Sequence, residues 1–135
     1  MAEAKKQEIK EVMAKLRYLR QSASKVRLVA KSLIGLPVDL ALSKLVFLPK
    51  ASVVPLTKLI KSAAANAKHN FSLPQEQLFI KSLVVDQGPA LKRFRPAAFG
   101  QAHPVKKHSC HVTVWLGLKT VLPAAKNKKA EVVKK

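Results

Sequence analysis

The sequence predicts an α+β fold with a long protruding β-hairpin, and three observations support this prediction. Apolar residues recur with helical spacing in three segments between Ser22 and Asn70. Segments typical of strands lie before them, at Val12 to Arg20, and after them, at Leu78 to Asp86 and His111 to Leu116. The last two strands are separated by about two dozen residues that contain several Gly and Pro residues, which predicts an extended hairpin between them.

The first strand is predicted from an alternation with a period of two. Side chains at even positions from Val12 to Tyr18 point one way, as does Arg20 beyond them. Those at odd positions, among them Arg17 and Leu19, point the other. This pattern is typical of a half-buried strand with a cationic outer face. Arg17 and Arg20 are therefore candidate contacts for an anionic partner.

The first helix is predicted to follow Ser22, which stands at the N-cap position. Its apolar stripe has the spacing i, i+3, i+4, i+7 and consists of Val26, Val29, Ala30 and Leu33. The cations of this helix lie off the stripe and are predicted to face outward: Lys25, Arg27 and Lys31. Gly35 and Pro37 are expected to end the helix.

Two further helices are predicted before the second strand. The first runs from Val38 to about Val46, with Asp39 favourably placed in its first turn. The other has the clearest apolar stripe, which consists of Leu56, Leu59, Ile60, Ala63 and Ala67. Pro55 is compatible with a helix that begins there or with one that kinks there. The helical region is expected to end between Asn70 and Pro74.

The segment between the last two strands is interpreted as a hairpin that continues both strands outward. Its tip is predicted near Pro96 to Gly100, and the arm from Gly88 to that tip reaches roughly 30 Å at about 3.3 Å per residue. A hairpin of that length cannot pack on its own core, so it is expected to reach into a partner. Phe94 and Phe99 on it have two open interpretations: stacking on unpaired bases, or packing on each other across the hairpin.

Charge identifies the kind of partner. The chain has 26 Lys and Arg residues against seven Asp and Glu, a net charge of +19 in 135 residues, and the segment from Gln87 to Ala130 contains no acidic residue. Such an imbalance favours nucleic acid, or less strongly an anionic membrane surface, because polyanions neutralise the self-repulsion. Binding through phosphate contacts releases counterions and is therefore steeply salt-dependent.

Other function classes find little support in the sequence. Cys110 is the only cysteine, so an intramolecular disulfide is excluded, and the absence of a signal-type or bilayer-length apolar segment predicts a cytoplasmic, soluble protein. His103, His108, Cys110 and His111 cluster in sequence, but their number and spacing do not supply a zinc site or a nucleophile with an orienting carboxylate. No phosphate-loop or dinucleotide motif is present. We expect no enzyme activity, no cofactor and no metal.

Three segments, in order, resemble the family of large-subunit ribosomal protein twenty-two. They are Ser22-Ala23-Ser24-Lys25-Val26-Arg27-Leu28-Val29-Ala30, then Ser62-Ala63-Ala64-Ala65-Asn66-Ala67-Lys68-His69-Asn70, and finally Asp86-Gln87-Gly88-Pro89 with Leu91-Lys92-Arg93 and His108-Ser109-Cys110-His111-Val112-Thr113-Val114. The resemblance covers about Val12 to Leu118. It implies a domain at 12–118 with an extended hairpin at 86–112. Outside the resemblance lie an N-terminal extension at 1–11 and a basic tail at 119–135, whose Lys- and Ala-rich composition without periodicity predicts disorder when the protein is alone.

The resemblance also implies an architecture and a function. Three helices would pack on a small antiparallel sheet, and the protein would bind large-subunit ribosomal RNA beside neighbouring ribosomal proteins in the cytoplasm. It would support subunit assembly, and its hairpin would line the nascent-peptide exit tunnel. Taken with the cationic pattern, the expected RNA-binding residues are Arg17, Arg20, Ser22, Lys25, Arg27, Lys31, Asn66, His69, Asn70, Lys92, Arg93, Arg95, Lys106, Lys107, His108, Ser109 and His111.

The hairpin tip departs from the family pattern, which is usually strongly basic there. Here it consists of Pro96, Ala97, Ala98, Phe99, Gly100, Gln101 and Ala102. An uncharged tip between cationic arms predicts that the arms hold RNA while the tip faces a space that is not RNA. The resemblance implies that this space is the path of the nascent polypeptide. The alternative function is a free-standing basic nucleic-acid-binding architectural protein.

Overall fold

The computed structural model describes residues 11–118, so most of the expected N-terminal extension and all of the expected tail at 119–135 lie outside the described residues. The elements follow in the order β1 (Val12–Leu19), α1 (Ala23–Lys31), α2 (Val38–Val46), α3 (Val53–Phe71), β2 (Leu78–Gln87), β3 (Leu91–Pro96), β4 (Ala102–Lys107) and β5 (Cys110–Leu118). Short 3-10 turns lie at Gln75–Gln77 and Ala98–Gly100. The predicted α+β class and its three helices are confirmed.

The strands form two antiparallel sheets, and two strands of one sheet continue along the chain into the strands of the other. The larger sheet has the order β1-β5-β2, with β5 in the centre, and the smaller consists of β3 paired with β4. Since β3 follows β2 and β4 precedes β5, the hairpin extends the β2–β5 pair of the larger sheet. We call β3, β4 and their connecting turn, residues 91–107, the finger, and the other described residues the body.

The core lies between the larger sheet and the helices. Helix α1 packs on β2, and α3 packs on β1 and β5. The central strand contributes Cys110, Val112, Val114 and Leu116, whose side chains are fully buried. Burying such a side chain stabilises the fold by about 1.5–3 kcal/mol. The predicted apolar stripe of α1 is confirmed, since its four residues are all buried.

Helix α3 approaches the sheet through its small residues. Ala63 and Ala67 are fully buried where the helix contacts β1 and β5, which agrees with the expectation drawn from the run of small residues. The helix begins at Val53, so Pro55 lies in its first turn, where its missing N–H has no helical partner to lose. The helix therefore begins two residues before the proline. It ends at Phe71, and Ser72 follows as a left-handed cap with a φ of 54°.

The alternation predicted for the first strand holds only as far as Leu16. Tyr18 has a φ of 55°, and the pairing with β5 shifts register between Leu16 and Leu19. As a result Tyr18 is 63% exposed, whereas Leu19 turns inward and packs against the core. The predicted facing of these two residues is wrong, because a bulge changes the face on which every later side chain lies.

Candidate nucleic-acid interface

The finger exposes every side chain of its two strands. All six residues of β3 and all six of β4 are exposed, among them the predicted contacts Lys92, Arg93, Arg95, Lys106 and Lys107. Lys92 lies directly opposite Lys106 in the pairing. Like charges in such cross-strand positions destabilise a hairpin, and the finger has no acidic residue that would offset their repulsion. The arms therefore present cations that need an external anion.

The tip of the finger is a tight turn that displays one aromatic ring. The Ala97 N–H donates to the Gln101 carbonyl oxygen at 2.8 Å, and Phe99 and Gly100 both have positive φ, 59° and 70°. Phe99 is fully exposed, so the interpretation that its ring packs on Phe94 across the hairpin is wrong. The left-handed backbone at Phe99 is uncommon for a bulky residue. It holds the ring away from the protein, where an external group can contact it.

At the base of the finger, two hydrogen bonds fix where the hairpin leaves the sheet. The Gly88 N–H donates to the Ser109 carbonyl oxygen at 2.9 Å, and the Ser109 hydroxyl donates to the Pro89 carbonyl oxygen at 2.6 Å. A Cβ on Gly88 would lie 2.6 Å from Ser109 Oγ. Ser109 is buried and its hydroxyl has a partner inside the protein. The structure thus gives Ser109 a positioning role, and its contact with RNA stays a prediction.

A groove of about 700 Å³ lies where the finger meets the body. It is lined by Arg20, Gln21, Ser22, Lys25, Leu28, Lys50, Ala51, Ser52, Lys107 and His108. The fold thus brings together five of the predicted contacts from three separate segments: the end of β1, the start of α1 and the return from the finger. No lining residue is acidic, so the groove is an electropositive concavity.

Sequence reasoning missed half of the residues that line this groove. Lys50 and Ser52 come from the loop between α2 and α3, which the sequence marks by Pro49 and otherwise leaves without a pattern. The sequence offered one signal: Ser52 stands just before the strong apolar stripe of α3, and Ser is a common N-cap residue. That signal places Ser52 at a helix start and says nothing about which distant segments share its surroundings.

Besides Ser109, two further predicted contacts bond to distant parts of the protein. The Arg27 side chain donates from Nε and Nη2 to the Val85 carbonyl oxygen, at 3.0 and 2.8 Å, and so ties α1 to β2. His111 Nδ1 accepts a hydrogen bond from the Tyr18 N–H at 3.0 Å, and the two rings meet edge to face with centroids 4.8 Å apart. Both residues therefore support the fold, and a contact with RNA stays a prediction for each.

The other predicted contacts lie outside the groove. Arg17 lies on the outer side of β1 and lines a smaller depression with Tyr18, Asp86 and His111. Lys31 is exposed in the last turn of α1. In the last two turns of α3, Asn66 is half-buried, and His69 and Asn70 are exposed. The structure thus distributes these candidates over several faces of the body.

The cluster of histidines and cysteine does not converge. Cys110 is fully buried, and burial raises the pKa of its thiol, while the nearby Arg27 charge lowers it. A raised pKa keeps the group protonated and unreactive at neutral pH. His103 and His108 are exposed on the finger and its return. Between residues 11 and 118 no group of three or more His, Cys, Asp and Glu side chains is placed to hold a metal ion.

Between residues 11 and 118, none of the helices α1 to α3 combines the length and the apolar composition that a membrane-spanning helix needs.

Comparison with known proteins gives a consistent result. Residues 14–117 match the model of the family described as ribosomal protein L22p/L17e. The chain is 45% identical over 104 residues to the large ribosomal subunit protein uL22 of Chloroflexus aggregans, covering 77% of this chain and 92% of the relative. It is 46% identical to uL22 of Nostoc punctiforme, covering 79% and 91%. It is 42% identical to uL22c of Physcomitrium patens, covering 77% and 88%.

Proposed function

The chain belongs to the ribosomal protein L22p/L17e family, and we propose from this premise that it is a structural constituent of the large ribosomal subunit that binds large-subunit ribosomal RNA. The family match confirms the resemblance drawn from the three sequence segments. The named relatives match over most of their own length, so the assignment rests on the whole domain. The ribosome is accordingly where the protein resides.

The observation that supports RNA binding best is the finger. Its twelve strand residues are all exposed, five of them are Lys or Arg, and none is acidic. A solvent-exposed hairpin with two lysines opposite each other gains stability when phosphates lie between them and lose their counterions. The groove adds a second cationic surface at the finger base. Together they favour an RNA that contacts both the body and the finger.

The finer assignment concerns the tip. The arms of the finger are cationic, whereas Pro96 to Ala102 is uncharged and ends in the fully exposed ring of Phe99. We propose that the arms lie in RNA and that the tip faces the exit tunnel, where the nascent polypeptide passes. An uncharged tip suits a surface that must not bind either RNA or a passing chain tightly.

We further propose that the protein acts without catalysis and beside neighbouring ribosomal proteins. A buried thiol with a raised pKa is a poor nucleophile. Its contribution to assembly is then electrostatic: neutralising phosphates at a junction of RNA segments.

Sedimentation of a cell lysate tests the RNA-binding proposal. We expect the full chain to sediment with large ribosomal subunits and to stay bound through a moderate-salt wash. A variant with Lys92, Arg93 and Arg95 replaced by Gln should be washed off at lower salt, because several phosphate contacts are lost. Replacing Lys58, Lys61 and Lys68 of α3 by Gln is the control with the same change in charge. Recovery of the wild-type chain free of ribosomal RNA would contradict the proposal.

Site-specific photo-crosslinking tests the assignment of the tip. A photoreactive residue at position 99 should crosslink to the nascent polypeptide in translating ribosomes, whereas the same residue at position 92 should crosslink to RNA. If position 99 reacts with RNA alone, the tip lies in RNA like the arms, and its proposed exposure to the tunnel is wrong.

A further inference from the structure

The two edges of the larger sheet differ in whether their main-chain groups have partners. Both β1 and β2 are edge strands, because β5 lies between them. On the β2 edge, the Gly35 N–H donates to the Ile80 carbonyl oxygen at 2.8 Å, and the Ile80 N–H donates to the Leu36 carbonyl oxygen at 2.9 Å. Further along, the Arg27 side chain donates to the Val85 carbonyl oxygen. The chain in and after α1 thus covers the β2 edge.

The same hydrogen bonds identify the main-chain groups of β1 that face outward. In an antiparallel sheet, successive residues of a strand direct their N–H and C=O groups to opposite sides in alternation. The Val85 carbonyl points away from β5, so its pairing partner Val112 directs its own groups toward β1, where it pairs with Leu16. Leu16 therefore bonds to β5. By alternation, Lys15 and Met13 bond in the same register but direct their N–H and C=O groups away from the sheet.

These outward groups form an open edge, which we define as residues 12–16. Among residues 11–118, the outward N–H and C=O groups of Met13 and Lys15 have no hydrogen-bond partner. Both side chains are exposed, and the register with β5 is regular up to Leu16, before the bulge at Tyr18. An unpaired strand edge is a template for another strand. The open edge therefore fits an extended segment of about five residues.

The chemistry of the open edge favours a polypeptide over RNA. Each outward residue offers one N–H donor and one C=O acceptor. The oxygens of an RNA phosphate accept hydrogen bonds but do not donate them, so a phosphate backbone would leave the carbonyls of Met13 and Lys15 without partners. An extended peptide satisfies donors and acceptors together, which is how strand addition to a sheet edge works.

The charge beside the open edge selects the side chains of that peptide. Lys15 and Arg17 are exposed on the outer face of β1, and neither forms an ion pair within the described part of the chain. They line a depression of about 280 Å³, which also contains Asp86. Opposite charges on neighbouring strands stabilise their pairing, whereas like charges destabilise it. The open edge thus suits an acidic strand and disfavours a second copy of this chain, whose net charge is +19.

We propose that β1 is extended at its open edge by a short acidic strand from a neighbouring protein of the large ribosomal subunit. This proposal rests on the proposed function, since the subunit supplies the partner. The added strand closes the β1 edge in the assembled subunit, as the chain in and after α1 closes the β2 edge.

Amide hydrogen exchange tests the proposal in the full chain, first free and then in purified large subunits. The amides of Met13 and Lys15 should exchange about tenfold more slowly, or slower still, in the subunit, because each gains a hydrogen bond. The Ile80 amide already bonds to the Leu36 carbonyl oxygen, so it is the internal control and should be protected in both states.

Site-specific photo-crosslinking in the same subunits identifies what lies beside the open edge. A photoreactive residue at position 13 leaves Lys15 in place and should crosslink to a peptide of another protein, with Asp or Glu beside the crosslinked position. The same photoreactive residue at position 58, on the exposed side of α3, is the control and should not yield that peptide.

Two proline variants separate pairing with the partner from the folding of the body. Met13→Pro removes an outward N–H, so the free chain should largely keep its thermal midpoint, whereas Ala14→Pro removes an N–H that bonds to β5 and should lower it. In subunits, Met13→Pro should reduce the protection of the Lys15 amide by about two- to tenfold, the equivalent of one lost hydrogen bond. Met13→Ala keeps the N–H and should retain that protection.

The possible failures are distinguishable. If the amides of Met13 and Lys15 exchange at the same rate in subunits as in the free chain, the open edge has no partner there, and the proposed function still stands. Crosslinks from position 13 to RNA alone, to a second copy or to the same chain would also overturn the proposal, because each identifies a different occupant. Equal losses of thermal midpoint in Met13→Pro and Ala14→Pro would show that the Met13 N–H is not outward. Absence of the wild-type chain from purified large subunits would instead refute the proposed function.

Discussion

In the body, the central strand β5 buries four side chains completely against the helices, whereas in the finger all twelve strand residues are exposed. The body contains 24 buried apolar residues, and the finger contains none. Both parts use antiparallel pairing, and β2 and β5 lead directly into β3 and β4. The same secondary structure is therefore stabilised in two ways, by an apolar core in one part and by main-chain pairing alone in the other.

This difference indicates what stabilises each part. An isolated two-stranded hairpin is marginal in water, and opposing lysines weaken it further. The body has the packing that a stable domain needs, so it can fold before it meets RNA. The finger depends on its attachment at the base and on anions from outside. Substitutions in the core of the body should therefore lower the free energy of unfolding. Substitutions of cations in the finger should instead weaken RNA binding without lowering that free energy.

The largest expected effect is the loss of a core side chain in the body. Ile60 of α3 is fully buried, and Ile60→Ala should lower the free energy of unfolding by about 2–5 kcal/mol, because it removes buried methyl groups and leaves a cavity. Chemical denaturation measures this change. Ile60→Val, which removes one methylene, is the matched control and should cost about 0.5–1.5 kcal/mol.

Deleting Leu91 to Pro104 tests whether the body folds without the finger. The segment contributes no buried side chain, so the shortened chain should keep a single cooperative thermal transition. Loss of that transition would show that the body needs the finger, and the comparison between the two parts would fail.

Much of the body could be predicted from the sequence, because its elements have strong periodic patterns. The stripe of α1 and the bounds of α2 agree with the structure for that reason. The bulge at Tyr18 could not be predicted, since a shift of register depends on the pairing with β5 and leaves no local trace in the sequence. It moved Leu19 into the core and Tyr18 out of it.

The candidate site was predicted in pieces. Cationic residues on the finger and at the start of α1 follow from charge and from the family resemblance. The groove itself requires that the loop before α3 lies beside the return from the finger, and contacts between such distant segments cannot be derived from one sequence. For the same reason the internal partners of Arg27 and Ser109 became visible only in the structure.

The next largest effect is expected at the junction of the two parts. Gly88→Ala places a Cβ 2.6 Å from Ser109 Oγ and 3.2 Å from the Ser109 carbonyl oxygen, so one of the two hydrogen bonds at the finger base must yield. We expect a loss of about 1–3 kcal/mol in unfolding free energy, the usual cost of overpacking. In a Ser109→Ala background the nearest clashing atom is absent, and the same change should cost less. Equal costs in both backgrounds would contradict the proposed clash with the Ser109 hydroxyl.

The smallest expected effect is in the finger itself, and its sign is opposite to the others. Lys92→Gln removes one member of the opposing lysine pair, so β3 and β4 should pair more stably by about 0.2–1 kcal/mol at low salt. Amide hydrogen exchange of residues 91–107 measures this gain. Lys107→Gln, opposite the uncharged Leu91, is the control and should change protection less.

The same Lys92→Gln variant should bind ribosomal RNA more weakly, because the cation that destabilises the free finger is then missing from the phosphate contacts. If the amides of the finger became less protected after Lys92→Gln, the explanation would be wrong. Lys92 would then stabilise the pairing of β3 with β4, and repulsion between the two lysines would not be what limits it.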